Sequence, residues 1–287
     1  MHRLVKVIYK MKIMKTLYHF RKIISYCRTS MEKHYFHRTL GKKFKRHSPK
    51  LKETKTVYSF AGNKYSKKRH AMHINIVNEF MKQASSPKNG EKPIVVLIGG
   101  GTASGKTTIR QTVIKKKLIE RSICTVTVDP DEIKDYIPEY ELLKKKHPND
   151  AARLVHKESL DISELLVKRL IRHRKHFMHE GTMARTQKYK KLIKKFKKAG
   201  YEIHAYIVDI PLELAKQRVA ERAKISGREI PPHIIENTHK LVPHTVEVIK
   251  NRVDRYYVYD NRNGLVLIAS NDYIEPGLYD EFLKKGE

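Results

Sequence analysis

One stretch restricts the fold of this chain more than any other: Ile98-Gly99-Gly100-Gly101-Thr102-Ala103-Ser104-Gly105-Lys106-Thr107-Thr108. From Gly100 to Thr107 it satisfies G-x-x-x-x-G-K-[ST], the pattern of a phosphate-binding loop. The pattern alone arises by chance on the order of once in 100 chains of this length, so its surroundings decide. Val95-Val96-Leu97-Ile98 reads as a buried strand leading in, and Thr108-Ile109-Arg110-Gln111 opens a helix leading out. Glycines between them permit backbone angles that turn several N–H groups toward one anion, and the helix N-terminus adds partial positive charge. The candidate nucleotide-binding segment is therefore Gly100, Gly101, Thr102, Ala103, Ser104, Gly105, Lys106, Thr107 and Thr108. Lys106 has the reach to meet the β- and γ-phosphates of ATP, and the Thr107 hydroxyl is placed to ligate Mg²⁺. The bland alternative, a glycine-rich turn before a helix, does not explain the lysine and threonine at these offsets.

The pattern around the loop is regular. Apolar spacing predicts a leading helix over 70–82 and a loop over 85–90. Strands follow over 93–99, 124–129, 177–180, 202–209, 255–260 and 265–269. Helices are expected over 107–119, 158–175, 187–199, 212–226 and 232–253, with a short one after Tyr279. Alternation of this kind predicts an α/β fold of the P-loop NTPase or kinase-like type: a mostly parallel sheet with helices on both faces. In the helix carrying Glu164, the expected core face is Leu160, Leu165, Val167 and Leu170.

Charge divides the chain in two. It holds 61 Lys and Arg against 30 Asp and Glu, a formal net charge of +31. Residues 1–70 contain 21 of the cations and 2 of the acids, about +19 of that total. We expect residues 1–55 to be a basic N-terminal extension, flexible or helical, followed by the catalytic domain over 56–287. A solvated arm, an unused upstream start with Met31 as an alternative initiator, a nucleic-acid or anionic-membrane contact, and a mitochondrial presequence all fit the arm. No run of 18 or more apolar residues spans a membrane. Cys27, in the arm, and Cys124, expected in a core strand, read as free thiols of a reducing, cytoplasmic compartment.

A phosphate loop does not name the phosphate acceptor; the carboxylates and arginines bear on that. Thr127-Val128-Asp129-Pro130-Asp131-Glu132 closes the second strand, and the C-terminal strand ends of an open α/β sheet face the ligand crevice. Phosphorylating a hydroxyl requires a group within hydrogen-bond reach to take its proton, and Asp131 is the candidate base. Asp129 serves equally well as the N-cap of the next helix. Glu180-Gly181-Thr182 closes the third strand at the same edge, whereas Glu164 lies mid-helix, where a solvated face is the default. Arg222 and Arg228 flank a predicted helix–loop–helix hinge at Gly227 and Pro231-Pro232. There they are candidates to neutralise charge on the transferring phosphoryl oxygens; Arg218 fits a helix surface.

Taken in order, these residues resemble the zeta toxins, kinases of bacterial toxin–antitoxin modules that phosphorylate UDP-N-acetylglucosamine. The resemblance runs from about Tyr65 to Ala269. It includes Arg69-His70-Ala71-Met72-His73, the loop itself, Asp129-Pro130-Asp131-Glu132-Ile133-Lys134, Ser163-Glu164, Glu180-Gly181-Thr182, Glu221-Arg222 and Gly227-Arg228-Glu229-Ile230-Pro231. It implies that Asp131 is the base that takes the proton of the sugar 3′-hydroxyl. It implies that Glu164, Glu180 and Thr182 line the sugar-nucleotide pocket, and that Lys106, Arg222 and Arg228 meet the transferring phosphate. ATP and Mg²⁺ dependence and silencing by a small helical antitoxin are implied as well. The basic arm has no counterpart in the family pattern, and Arg185 is only loosely placed in the pocket.

The expected function is thus an ATP-dependent small-molecule kinase acting on a sugar nucleotide. Other readings are a P-loop kinase of a different hydroxyl, a nucleic-acid-directed ATPase or polynucleotide kinase suggested by the net charge, and a nucleotide-binding protein without turnover. Against the nucleic-acid reading, most of the excess charge lies in the arm and the core shows no aromatic stacking platform. Against the inactive one stands the intact set Lys106, Thr107, Asp131 and Arg228.

Overall fold

In the computed structural model, the phosphate loop leaves the middle of a six-stranded sheet ordered β4-β5-β3-β6-β7-β8. The strands are β3 (Ile94–Gly99), β4 (Val126–Val128), β5 (Phe177–Glu180), β6 (Glu202–Asp209), β7 (Arg255–Asp260) and β8 (Val266–Ser270). Strands β4 to β7 run parallel to their neighbours around β3, and only β8 is antiparallel, to β7. A two-residue hairpin, β1 (Ser59–Phe60) with β2 (Lys64–Tyr65), stands apart from this sheet. The structure describes residues 51–60, 64–226 and 230–286, with side chains at 225 and 226 left aside.

Every residue of β3 is buried, as expected for a parallel strand covered on both faces. Its side chains alternate between two apolar layers. Val95 and Leu97 join the larger layer with Phe177, Ile203, Ala205 and Ile207. Helices Lys67–Met81, Pro148–Arg172, Thr186–Lys198, Pro232–Ile249 and Pro276–Lys284 cover that face. Ile94, Val96 and Ile98 join the smaller layer, with Met178, Tyr206, Val208 and the loop's own helix through Ile109, Ile114 and Leu118. That helix is continuous over Lys106–Ile109, Arg110–Ile114 and Lys115–Glu120, and its middle section is wound as a π-helix. Tyr206 and Tyr257 stack on this face with centroids 4.7 Å apart, an aromatic pair that alternation alone did not reveal.

Several expectations are corrected. The helix expected over 158–175 begins at Pro148 and ends at Arg172. Proline at its first position lacks only an N–H that would be unsatisfied there anyway, so the polar start 148–157 is helix. Its buried stripe includes Ile162, Leu166, Val167 and Leu170, while Leu160 and Leu165 are only half-buried. Short helices Pro130–Lys134 and Pro138–Lys146 fill the stretch between the second strand and the long helix, and the first of them is the one Asp129 was expected to cap. Cys124 is free but exposed, ahead of β4 rather than in a core strand; its backbone pairs with Ser85 across the sheet's N-terminal side. Cys27 lies outside the described residues. Among those residues, no helix is long and apolar enough to cross a membrane.

A buried ion cluster ties the segment before the sheet to the long helix. Arg69 donates to Glu158 through Nε (2.6 Å) and Nη2 (2.9 Å), and to Glu139 through Nη1 and Nη2 (2.8 Å each). Its guanidinium lies 3.9 Å from the Tyr58 ring centroid. His73 Nε2 meets Glu158 at 2.7 Å, and Tyr65 donates to Asp161 at 2.6 Å. Burial would raise the Glu158 carboxyl, but the bonds from His73 and Arg69 outweigh it and hold the group down at about 2.

Candidate active site

Local backbone geometry makes the loop. Gly105 sits at φ 103°, in the left-handed region, and a Cβ there would run into the Asn261 amide. That amide donates to the Ser104 carbonyl at 2.9 Å, tying the loop to the end of β7. Gly101 is hemmed in from the other side, where a Cβ would enter the His239 ring. His239 Nε2 bonds the Thr102 carbonyl at 2.8 Å, which requires the proton on Nε2, and burial pushes its pKa down to about 4. Thr238 accepts from the Thr102 N–H at 3.2 Å. The loop is therefore braced by Thr238 and His239 of helix Pro232–Ile249 and by Asn261, residues that sequence reading did not single out although it expected the helix. Their separation from the loop, 136 and 157 residues, left no local signal.

Lys106 curls over its own loop and donates to the Gly100 and Gly101 carbonyls at 3.0 and 2.9 Å. Burial lowers its pKa; Glu180, Asp129 and Asp131 pull it back up, and Arg222 adds to the lowering. Four of the charged residues singled out in the sequence, Asp129, Asp131, Glu180 and Arg222, thus lie within electrostatic reach of one ammonium. Thr107 and Thr108 are exposed on the first helical turn. Arg222 is exposed on helix Leu212–Ser226. Arg228 lies outside the described residues. Arg218, read as a helix-surface charge, is half-buried and donates to the Asn261 carbonyl at 3.0 Å.

Register brings the acids together. Ile98 pairs with Glu180, and Val128 with His179, so the C-terminal ends of β3, β4 and β5 are level. Asp129 caps helix Pro130–Lys134 by accepting from the Asp131 N–H at 2.9 Å. Its carboxyl is raised to about 6, first by burial and then by Glu180, Asp131 and Glu132, against the backbone bond. Asp131 projects outward, its side chain 54% exposed, with Lys134 Nζ 2.5 Å from Oδ1. Glu180 is buried at the strand end and its pKa is raised by that burial, against Arg110 and Lys106. Arg110, named in the sequence only as part of the helix start and not as a charged candidate although it lies one turn after Lys106, bridges Glu132 (2.7 Å) and Glu180 (3.2 Å). The alignment is poor, and Arg110 Nε and Nη1 and Glu180 Oε2 are buried without a hydrogen bond.

Of the remaining candidates, Thr182 adjoins the loop, and Glu164 and Arg185 lie beside helix Thr186–Lys198. Thr182 is half-buried; its carbonyl accepts from Gly100 at 3.4 Å and its hydroxyl from Ala184 at 3.4 Å. Glu164 is exposed, and its charge acts on Lys188 and Lys195 of helix Thr186–Lys198. Arg185, at the N-terminal boundary of that helix, is exposed beside Lys188. Chemically, the centre offers a backbone cradle for an anion, cations around it, an open threonine hydroxyl, and one outward carboxylate at the same sheet edge.

The parallel order, the loop at the central strand and the acids at the neighbouring strand ends define a protein of the P-loop kinase-like fold. Within it, the chain belongs to the zeta toxin family, whose model matches residues 78–272. It is 26% identical over 214 residues to toxin PezT of Streptococcus pneumoniae serotype 4, covering 68% of this chain and 81% of PezT. A solved structure from the PezAT chromosomal toxin-antitoxin system of Streptococcus pneumoniae shares the fold, with TM-score 0.57, 21% identity and coverage of 78% and 95% of the two chains. The AvrRxo1-ORF1:-ORF2 structure with ATP is also similar, with TM-score 0.65, 18% identity and coverage of 82% and 83%.

Proposed function

We propose that this chain is an ATP-dependent kinase that phosphorylates the 3′-hydroxyl of UDP-N-acetylglucosamine. The observation that carries the reading is the exposed Asp131 carboxylate at the sheet edge, electrostatically coupled to the lysine of the phosphate loop. The loop fits a nucleotide: its glycines leave no room for a Cβ, and its lysine is held by the loop's own Gly100 and Gly101 carbonyls, which a phosphate can replace. MgATP, when bound, supplies the phosphoryl group and a metal that neutralises its oxygens. Lys106, with the loop N–H groups, binds the phosphates, and the Thr107 hydroxyl is the protein ligand for Mg²⁺. Arg222, together with Arg228, neutralises charge on the transferring group. Glu164, Glu180 and Thr182 position the sugar nucleotide. The acceptor oxygen bonds to the γ-phosphorus as the bridging P–O bond to ADP breaks, and Asp131 takes the hydroxyl proton.

This reading places the kinase in the cytoplasm, takes 56–287 as its domain and leaves residues 1–55 as a basic extension. A small helical antitoxin covering the nucleotide site is the partner it implies; the PezAT structure comes from a chromosomal toxin-antitoxin system. The test is incubation with labelled ATP and a panel of sugar nucleotides, with an RNA bearing a free 5′-hydroxyl as a further arm and mass spectrometry of the products. A phosphate on the UDP-N-acetylglucosamine sugar, lost in Asp131→Asn while ATP binding persists, is expected. Label appearing only on RNA, on another sugar nucleotide or in water overturns the acceptor. Wild-type transfer by Asp131→Asn overturns the base.

A further inference from the structure

The acids at the strand ends raise a problem for any base among them. Asp129, Asp131, Glu132 and Glu180 crowd one edge, and each negative charge disfavours the next. The crowding is visible in Asp129, which is pushed up in part by Glu180, Asp131 and Glu132. A base in this company needs a cation of its own, one that stays in place while the phosphate-binding cations engage the nucleotide.

Lys134 meets that need. It lies one helical turn after Asp131, on the same short helix Pro130–Lys134. Its side chain is 2% exposed, among the largest fully buried side chains of the described residues, whereas that of Asp131 is 54% exposed. The ammonium meets Asp131 Oδ1 at 2.5 Å. The helix itself is fixed from both ends of the arrangement. Asp129 caps its start by accepting from the Asp131 N–H, and Ile133 and Ile137 anchor it in the larger apolar layer. A surface lysine would be free to leave its partner; this one reaches the carboxylate from beneath, with its stem packed in protein. An exposed carboxylate held from below by a buried ammonium has fewer orientations open to it than a free aspartate.

We propose that Lys134 is the positioning residue of the Asp131 base: it orients the carboxylate toward the acceptor hydroxyl and keeps it ionised among its acidic neighbours. The inference rests on the reading of Asp131 as the base. Lys134 contacts neither substrate in this scheme and acts only through Asp131. The hydroxyl proton still ends on Asp131, and Lys134 keeps its own.

The charges that face Asp131 set the expected pH response. On its own helix and cap these are Lys134, Glu132 and Asp129; from the loop helix, Lys106, and Arg110, which bridges Glu132 and Glu180; from the end of β5, Glu180. On the packed helix Pro148–Arg172, the buried carboxylate is Glu158, and it is matched by Arg69 and His73. Removing Lys134 deletes a cation from a set rich in acids. The base then protonates at higher pH, so the acid limb of the kcat–pH profile moves up.

The experiment is a set of variants of the full chain: Lys134→Met, Lys134→Arg, Asp131→Asn and the double variant. Folding is followed by thermal melting and ATP affinity by titration. We expect Lys134→Met to bind ATP within about twofold of wild type and to lose kcat by about 10–100-fold, part of the roughly 10²–10⁴ that a positioned base supplies. Its acid limb should shift upward, and Lys134→Arg should recover much of both. In the Asp131→Asn background Lys134→Met should have no further effect on kcat, because residues that act as a unit are not additive. Unchanged kcat and acid limb in folded Lys134→Met overturn the inference while leaving the base intact, as do multiplicative losses in the double variant. Should Lys134→Met fail to fold, Lys134→Arg decides: wild-type melting with restored kcat and acid limb supports positioning, and wild-type melting with kcat as low as in Asp131→Asn overturns it. Full transfer by Asp131→Asn overturns the base and the inference together.

Discussion

Two clusters of buried charge in this molecule use the same residue types to opposite effect. Around Arg69, every charge has a geometrically good partner. The guanidinium grips two carboxylates with two bonds each, His73 joins one of them, and Glu158 is held down at about 2. Around Lys106, charges are close but badly matched. The lysine bonds its own loop carbonyls, Arg110 and Glu180 face each other without hydrogen-bond alignment, and Asp129 and Glu180 are pushed up. Ser104 Oγ and His239 Nδ1 add two further buried atoms without a partner there, and among the described residues no atom of the Arg69 cluster is in that state. The first cluster is a fastening between the leading segment and the long helix. The second keeps polar groups in unfavourable company, the condition that marks a site shaped for a ligand rather than for its own stability.

Single substitutions of the central cations give the largest contrast. Arg69→Met strips Glu158, with no exposed side-chain surface, of its guanidinium and leaves it His73 alone of the two, and should cost about 3–5 kcal/mol of unfolding free energy. Lys106→Met removes an ammonium that burial already disfavours. Its stability in urea should stay within about 1 kcal/mol of wild type, while phosphoryl transfer falls by about 10²–10³-fold or more. A Lys106→Met protein that unfolds, or an Arg69→Met protein as stable as wild type, would erase the distinction.

Proton linkage sharpens it. Glu158 titrates at about 2 when folded against 4.5 for the free group. It contributes about 3 kcal/mol above pH 4.5, lost as pH falls toward 2. Asp129 goes the other way, to about 6 from 3.8, so its ionisation costs stability above pH 6 and the cost vanishes as pH falls toward 3.8. Asn caps a helix as well as Asp does. Asp129→Asn should therefore gain about 1–3 kcal/mol at pH 8 and almost nothing at pH 4, whereas Glu158→Gln should lose most at pH 7 and converge with wild type near pH 2. Urea melts across this range read both; a gain for Asp129→Asn that is the same at pH 4 and pH 8 would contradict the cause assigned to its shift.

How legible each cluster was follows from the distances along the chain over which it is built. The loop is contiguous, so its glycines, Lys106 and Thr107 announce themselves through strand, turn and helix chemistry. Asp131 and Glu180 were readable because strand ends in a parallel sheet share one edge. Arg110 and Lys134 were within reach of sequence reading, one turn after Lys106 and after Asp131, but a cation at that spacing is also what an ordinary solvated helix face carries. The Arg69 cluster pairs residues 70 and 89 positions apart, and the brace on the loop comes from His239 and Asn261 in elements folded back onto it. Apolar periodicity locates such elements and is silent on which polar atom meets which. The same silence explains why Cys124 was assigned to a strand: β-branched neighbours set the pattern, and the strand's true start at Val126 depends on pairing with β5.

The smallest effect compares one hydroxyl from each cluster. Tyr65 donates to Asp161 at 2.6 Å, a bond to a charged acceptor, so Tyr65→Phe should cost about 1–2 kcal/mol, with partial exposure of the pair keeping the loss below that of a fully buried one. Ser104 Oγ is buried with no partner and lies where a Cβ on Gly100 would strike it, beside the Val208 carbonyl. That position is beneath the loop, facing β6. Removing it relieves an unsatisfied group and leaves a gap the size of one oxygen, so Ser104→Ala should change stability by no more than about 1 kcal/mol, in the stabilising direction. The anion cradle relies on backbone N–H groups, which the substitution keeps, and ATP affinity should stay within about twofold. Urea melts paired with ATP titration of both variants measure this. A tenfold loss of ATP affinity in Ser104→Ala would show that the hydroxyl turns toward the nucleotide on binding, and would move Ser104 from a bystander of the mismatched cluster into its working part.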